Sequence, residues 1–289
     1  MRWYGSTMFD PYVGCRVVNC GECSVTVTDH GPTEGIPVLL VHGFPDSAWL
    51  WRHQIPVLAD AGYRVIAPDL RGYGRSDKPQ DVEAYQMSKL ASDLVAVLDE
   101  AGVERAHLVG HDWGAALGWY FASTHPDRLM TLTALSAGHA GGFAAAGVAQ
   151  REKSWYMLYF LIEGLAEARL PADDWYWFRS WIGRHPEIET WIADLSRPGA
   201  LNAALNVYRA NINPETWITP PRPLPKVEVP TMGVWSVRDL ALTETQMTAS
   251  GEFVSGEWRY ERIDEASHWI PLDTPDQLNR LLLDWLGTH

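Results

Sequence analysis

Short apolar runs of strand length alternate along this chain with segments of helical period, and this alternation constrains the fold most. Pro37-Val-Leu-Leu-Val41 is a continuous apolar run, as expected of a strand buried on both faces. Tyr63-Arg-Val-Ile-Ala67, Arg105-Ala-His-Leu-Val109, Thr231-Met-Gly-Val-Trp235 and Trp258-Arg-Tyr-Glu-Arg-Ile263 read alike. Between and after them come helical periods. Met87, Leu90, Ala91, Leu94 and Leu98 recur at three and four residues, as do Leu278, Leu281, Leu282, Trp285 and Leu286. Strand, helix, strand, helix predicts an α/β fold with a mostly parallel central sheet flanked by helices.

The alternation stops near Ala137. From there to about Pro220 no convincing strand is found, and Ser154–Leu170, Asp173–Ile182 and Gly199–Ala210 read as helices. A small Gly/Ala stretch, Ala137–Gly147, opens this segment and a Pro-rich one, Pro214–Pro230, closes it. The expected organisation is a core of residues 1–138 and 221–289, with an inserted helical cap of residues 139–220. Ten aromatic residues lie between Trp155 and Trp191. They are expected to glue the cap to the core, with some lining an apolar cavity at the junction.

Charge and cysteine content narrow the partners. A net charge of −13 makes the chain a poor ligand for phosphate backbones and argues against nucleic acid and anionic membrane. No run approaches the roughly 18 apolar residues of a membrane span. Met1–Asp10 shows no apolar stretch of a secretory signal. Three cysteines cannot all pair, which fits a reducing, cytoplasmic location. Cys20-Gly-Glu-Cys23 lacks the second ligand pair of a zinc site and sits between two strand-like runs, Arg16–Asn19 and Ser24–Thr28. A hairpin turn is favoured over redox chemistry there.

The chemistry centres on Gly110-His-Asp-Trp-Gly114, between the strand Ala106–Val109 and a helix Trp113–Ser123. Gly-x-nucleophile-x-Gly at a strand-to-helix turn is a nucleophile elbow, with Asp112 as nucleophile. Asp also suits a helix N-cap, but the surroundings favour the elbow. His42-Gly-Phe-Pro45 follows the strand Val38–Val41, where a loop supplies one oxyanion-hole N–H. The two donors would be Phe44 and Trp113. Asp239 lies just past one later strand and His268 past the next, in the order nucleophile, acid, histidine. Asp264 competes as the acid, but it lies too close to His268 and ends its own strand. His42, Pro45, Trp113 and Tyr159 are the candidate substrate-binding residues.

With these residues in place, nearly the whole chain resembles an α/β-hydrolase of the epoxide hydrolase and haloalkane dehalogenase branch. Val38–Asp46, Ala67–Lys78, Val109–Gly118 and Ala266–Asp273 carry the likeness, and the cap is its loosest part. A carboxylate nucleophile displaces a leaving group from saturated carbon and forms an alkyl ester, which water then hydrolyses. His268 would activate that water, and Asp239 would hold the imidazole. No metal or organic cofactor is needed. The resemblance also implies two cap tyrosines that protonate an epoxide oxygen. The run Trp155-Tyr-Met-Leu-Tyr-Phe160 offers Tyr156, with Tyr159 as its rival, and Tyr208-Arg-Ala-Asn211 offers Tyr208. The expected activity is conversion of an apolar epoxide to a vicinal diol.

Two alternatives stand beside it. A haloalkane dehalogenase would use the same Asp-His-Asp chemistry. Phe44 lacks the side-chain donor of the Asn found there in many dehalogenases, leaving a cap Trp such as Trp175 or Trp177 to hold halide. Trp113 departs from the Arg of fluoroacetate dehalogenases. A small-molecule receptor without turnover is the other, but nothing is missing from the constellation. A plain esterase would need Ser at position 112. Glu163-Gly-Leu-Ala-Glu167 departs from the Pro-Gly found in many relatives. The oligomeric state is open, a homo-oligomer included.

Overall fold

A computed structural model describes residues 9–289 apart from 218 and 220–223. Among the described residues one sheet holds β1 (Arg16–Asn19), β2 (Ser24–His30), β3 (Ile36–Val41), β4 (Tyr63–Pro68), β5 (Ala106–His111), β6 (Leu129–Leu135), β7 (Thr231–Arg238) and β8 (Trp258–Ser267). Their spatial order is β1-β2-β4-β3-β5-β6-β7-β8. β1 pairs antiparallel with β2 and β2 with β4, and every later pairing is parallel. Every residue of β5 is buried, as a strand covered on both faces requires. Val38 of β3 faces Val65 of β4 on one side and His107 of β5 on the other. From β3 the chain first builds outward to β4, then crosses back to β5. The strand order therefore reverses between β3 and β5, and ligand sites form at the carboxyl ends of strands beside such a reversal.

The sheet is flanked by α1 (Ile55–Asp60), α2 (Met87–Glu100) and α3 (Trp113–Thr124). α3 is buried over nearly its whole length, because it lies between the sheet and the rest of the molecule. Between β6 and β7 the chain leaves the sheet for α4 (Ala140–Ala145), α5 (Gly147–Lys153), α6 (Trp155–Phe160), α7 (Leu165–Arg169), α8 (Ala172–Ile182), α9 (Ile188–Leu195) and α10 (Ala200–Asn211). α11 (Glu244–Ala249), α12 (Ile270–Asp273) and α13 (Pro275–Leu286) complete the flanks. No helix among the described residues is long and apolar enough to cross a membrane.

Several local expectations change. The helix expected over Ser154–Leu170 is divided into α6 and α7, because Gly164 takes a φ of 75° in the break. Asp173, Asp174 and Trp175 have φ near +55°, so α8 is regular only from Tyr176. The Gly/Ala stretch is not merely a hinge: it forms α4. Asp239 and His268 each directly follow their strands, which run further than expected, and Asp264 lies inside β8. The Cys20 N–H donates to the Cys23 carbonyl at 2.8 Å in a hairpin turn, and Cys15, Cys20 and Cys23 are free. The N-terminal residues 1–8 and the expected cap edge at 220/221 lie outside the described residues.

Candidate active site

The elbow is built by backbone contact. A Cβ on Gly110 would lie 2.3 Å from the Gly114 carbonyl oxygen, and one on Gly114 would lie 2.0 Å from that of Val41. Only glycines let α3 start so close to the ends of β3 and β5. Asp112 between them is held at φ 55°, ψ −120°, a strained conformation for a residue with a Cβ. Its carboxylate makes no helix-cap hydrogen bond, so the N-cap role is not the one it plays. It turns instead toward the loop after β3. Asp112 Oδ1 accepts the Phe44 N–H at 2.7 Å. A Cβ on Gly43 would lie 2.4 Å from both Asp112 Oδ1 and the Trp113 nitrogen. The Phe44 N–H thus meets Asp112 Oδ1, and the Gly43 backbone packs closely against both that oxygen and the Trp113 nitrogen.

His268 lies on the other side of the carboxylate. Its Nε2 is 3.4 Å from Asp112 Oδ2, and its Nδ1 is 2.9 Å from Asp239 Oδ2. Asp239 Oδ1 accepts the N–H groups of Ala241 and Leu242, both at 2.8 Å. Burial works to raise the Asp239 pKa, but the His268 charge and these hydrogen bonds hold it below the usual carboxylate value. Burial works to lower the His268 pKa. The Asp239 charge and the Asp112 hydrogen bond outweigh burial and carry it up to about 10.

His42 and Pro45 lie in the loop after β3, and neither is among the residues lining the cavity at Asp112. His42 is fully buried, its Nδ1 donates to the Gly43 carbonyl at 3.0 Å, and its Nε2 accepts the Leu70 N–H at 2.9 Å. Both ring nitrogens brace the turn that carries Phe44. Tyr156 and Tyr208 are buried beside that turn. The Tyr208 ring lies 5.0 Å from Trp113 and 5.6 Å from Phe44, and Tyr156 lies 6.3 Å from Tyr208. Burial drives both phenols well above their ordinary pKa, and the Asp112 charge adds to it. Tyr159 sits one turn beyond Tyr156, half-buried against Trp177. The structure brings Tyr156, not Tyr159, to Tyr208, which itself packs on Phe44 of the loop.

A cavity of about 270 Å³ opens from Asp112 and Trp113. Trp119, Phe143, Met157 and Leu242 give it apolar walls. None of the ten cap aromatics between Trp155 and Trp191 lines it. Most pack on one another instead, as Trp177 stacks on Trp181 at 5.5 Å and Phe178 meets Trp175 at 5.7 Å, whereas Trp191 packs on His185 and Trp269 and Tyr176 is exposed. Its aromatic walls come largely from α3 and from Phe143, while Tyr156, one of the ten, is buried beside Tyr208 within reach of the Asp112 charge. Among the described residues no group of three or more His, Cys, Asp or Glu could hold a metal ion.

Three supporting residues escaped the sequence reading. His111 Nε2 donates to the His268 carbonyl at 2.9 Å, and burial, with His268 nearby, lowers its pKa to about 4. Ser136, at φ 66°, donates its hydroxyl to the same carbonyl at 2.9 Å. Gln150 of α5 donates to the Ala241 carbonyl at 3.1 Å and accepts the Thr243 N–H at 2.8 Å, steadying the Asp239 loop from the cap. His111 lies inside the elbow motif and was visible there. Ser136 and Gln150 carry no local signal, because their partners are set only by tertiary packing.

Comparison with known proteins follows the same lines. The alpha/beta hydrolase fold family matches residues 36–275. The chain is 34% identical to a Mycobacterium tuberculosis protein named Epoxide hydrolase A, over 94% of this chain and 96% of that protein. It is 35% identical to a Bacillus subtilis protein named AB hydrolase superfamily protein YfhM, over 95% and 98%. Among solved structures it is similar to an epoxide hydrolase from hot-environment metagenomes, with a TM-score of 0.85, 30% identity, and coverage of 95% and 99%.

Proposed function

The chain belongs to the alpha/beta hydrolase fold family, and from that premise we propose that it hydrolyses epoxides to vicinal diols through an ester on Asp112. The observation that carries this reading is the division of labour between the two oxygens of Asp112. Oδ1 sits against the Phe44 N–H, while Oδ2 faces His268 and is free to attack. Attack by Oδ2 on an epoxide carbon leaves Oδ1 as the ester carbonyl, already in place for the next step. Tyr156 and Tyr208 give a proton to the opening ring oxygen. Their raised pKa values keep them protonated at working pH, and such acid assistance is worth roughly a hundred- to ten-thousandfold in rate.

Ring opening uses up the negative charge of Asp112 and leaves a phenolate. Proton transfer from His268 to that phenolate through solvent restores the O–H and leaves His268 neutral. His268 then takes a proton from water as the water attacks the ester carbon. Charge develops on Oδ1, where Phe44 N–H and Trp113 N–H receive it. The bond from the Asp112 carboxyl carbon to Oδ2 then breaks and the departing oxygen takes the remaining water proton from the tetrahedral centre, so the first diol carries away Oδ2, the water oxygen stays in Asp112 as carboxylate, and His268 is left protonated for the next turnover. The segment 139–220 acts as the lid and residues 1–138 and 221–289 as the core. The substrate is an apolar small-molecule epoxide, in keeping with the apolar walls of the cavity. The free thiols favour the cytoplasm.

The test is His268→Gln with an epoxide panel and parallel assays for diol and halide. The variant is expected to form a covalent adduct on Asp112 by mass spectrometry while diol release falls about a hundred- to ten-thousandfold. Halide release by the wild type without diol, or no adduct in the variant, overturns the reading.

A further inference from the structure

Behind His268 and the Phe44 turn lies a buried cluster that the reaction itself does not touch. Trp191, on α9 of the cap, donates its indole N–H to Asp46 Oδ1 at 2.9 Å. The Asp46 N–H in turn donates to the Gly43 carbonyl at 2.9 Å, closing the turn that carries the Phe44 N–H. The Trp191 ring stacks on His185 at 4.5 Å and packs on Trp269 at 4.3 Å. His185 Nε2 lies 3.3 Å from Asp273 Oδ1. Asp273 Oδ2 accepts both the N–H and the hydroxyl of Ser267, at 2.7 and 2.5 Å, and Ser267 immediately precedes His268. Trp269, which immediately follows it, holds its ring 5.2 Å from that of His268. Arg52 on the core closes the edge of the cluster on Glu187 of the cap at 2.6 Å.

Two cap residues therefore reach two separate catalytic segments of the core. One connection ends on the oxyanion turn, the other on the residues on each side of His268. Neither His185 nor Trp191 lines the cavity. We infer that His185 and Trp191 are positioning residues that hold the oxyanion turn and the His268 loop in register for hydrolysis of the Asp112 ester.

The inference rests on the proposed two-step reaction, because the two steps draw on different groups. Ring opening needs Asp112 Oδ2 and the tyrosines. Ester hydrolysis needs Phe44 N–H and His268 together, and a displacement of about 1 Å between such groups costs roughly a hundredfold. Loosening the cluster should therefore slow the second step and spare the first. When the second step limits turnover, the ester accumulates, so kcat and KM fall together and kcat/KM holds.

The experiment uses Trp191→Phe and His185→Phe in the full chain. Both keep an aromatic ring: Trp191→Phe removes the connection to Asp46, and His185→Phe removes the contact with Asp273 together with the acceptor of the Glu187 N–H. Steady-state kinetics on an epoxide turned over by the wild type are combined with acid-quench mass spectrometry of Asp112. The expected result is a fall of about 10- to 100-fold in both kcat and KM, kcat/KM within about twofold, and ester on most of the quenched enzyme. Thermal unfolding of both variants separates positioning from stability. A fall in kcat/KM with no ester build-up overturns the inference, and so does a lowered Tm with unchanged kcat. Should one variant fail to fold, the other decides through the same split. A wild type that forms neither diol nor ester would instead overturn the epoxide reading, and this inference with it.

Discussion

Asp112→Asn should lower the pKa of His268 by two or more units. His268 Nε2 lies 3.4 Å from Asp112 Oδ2. At an effective dielectric constant of about 20, a unit charge at that distance is worth about 5 kcal/mol, or about 3.5 pKa units. An amide keeps a dipole near Nε2 but loses the charge. With Asp239 still in place at 2.9 Å, His268 should fall from about 10 to roughly 7. Histidine NMR titration of the wild type and the variant measures both values directly. The folded pKa of His268 lies above its unfolded value of about 6.5. The stability it contributes is therefore fully present below about pH 6.5 and lost as pH rises toward 10. Asp112→Asn should flatten that alkaline loss in urea titrations run across pH. The same shift is what the proposed ester would produce, since esterification also removes the charge. A change of less than about one unit would mean that Asp239 alone sets the imidazole, and the idea that alkylation releases the base would be wrong.

Three further outcomes are expected. Tyr156→Phe and Tyr208→Phe should each slow epoxide opening by about tenfold to a hundredfold and the double variant by considerably more, measured as the rate of ester formation in a His268→Gln background; an undiminished rate in the double variant removes both from the reaction. Gly43→Ala would place a Cβ 2.4 Å from Asp112 Oδ1 and from the Trp113 nitrogen. It should reduce diol formation by at least about a hundredfold, and wild-type turnover in a folded variant would refute the oxyanion assignment. Arg71 Nε donates to Asp93 Oδ2 at 2.6 Å with both side chains buried. Asp93→Ala strands that guanidinium and should cost about 3–5 kcal/mol of stability by urea unfolding.

The parts of the site legible in the sequence are those whose geometry is local. Gly110 and Gly114 announce a turn because no side chain fits where their backbones meet Val41 and each other. Asp239 and His268 were found because a parallel sheet places successive strand ends on one edge, so chain order stands in for distance. Tyr156 and Tyr208 came from resemblance, since a phenol in an aromatic run carries no mark of its own. α9 was missed although Ile188, Trp191, Ile192 and Leu195 recur at helical spacing, because flanking Pro186 and Pro198 broke the pattern into pieces too short to stand out. Ser136, Gln150 and the His185–Trp191 cluster were not legible, because each acts on a segment that only the folded chain brings near.

The electrostatics and the packing support one division of the molecule. The intact carboxylate of Asp112 is held by His268 on Oδ2 and by the Phe44 N–H on Oδ1, with the two raised phenols buried nearby. In the proposed reaction the ester is served by neutral, rigid groups: the Phe44 N–H on a turn braced by His42 and Asp46, and the Trp113 N–H at the start of α3. In the proposed reaction, ring opening changes the charge of one side chain, and that single change converts the first set of requirements into the second. Nothing needs to move, because Oδ1 already occupies the position where charge will next develop. Rigidity fits the way the His268 carbonyl is held by both His111 and Ser136, while Asp273, faced by His185 of the cap, holds Ser267 and the cap's Trp191 packs on Trp269.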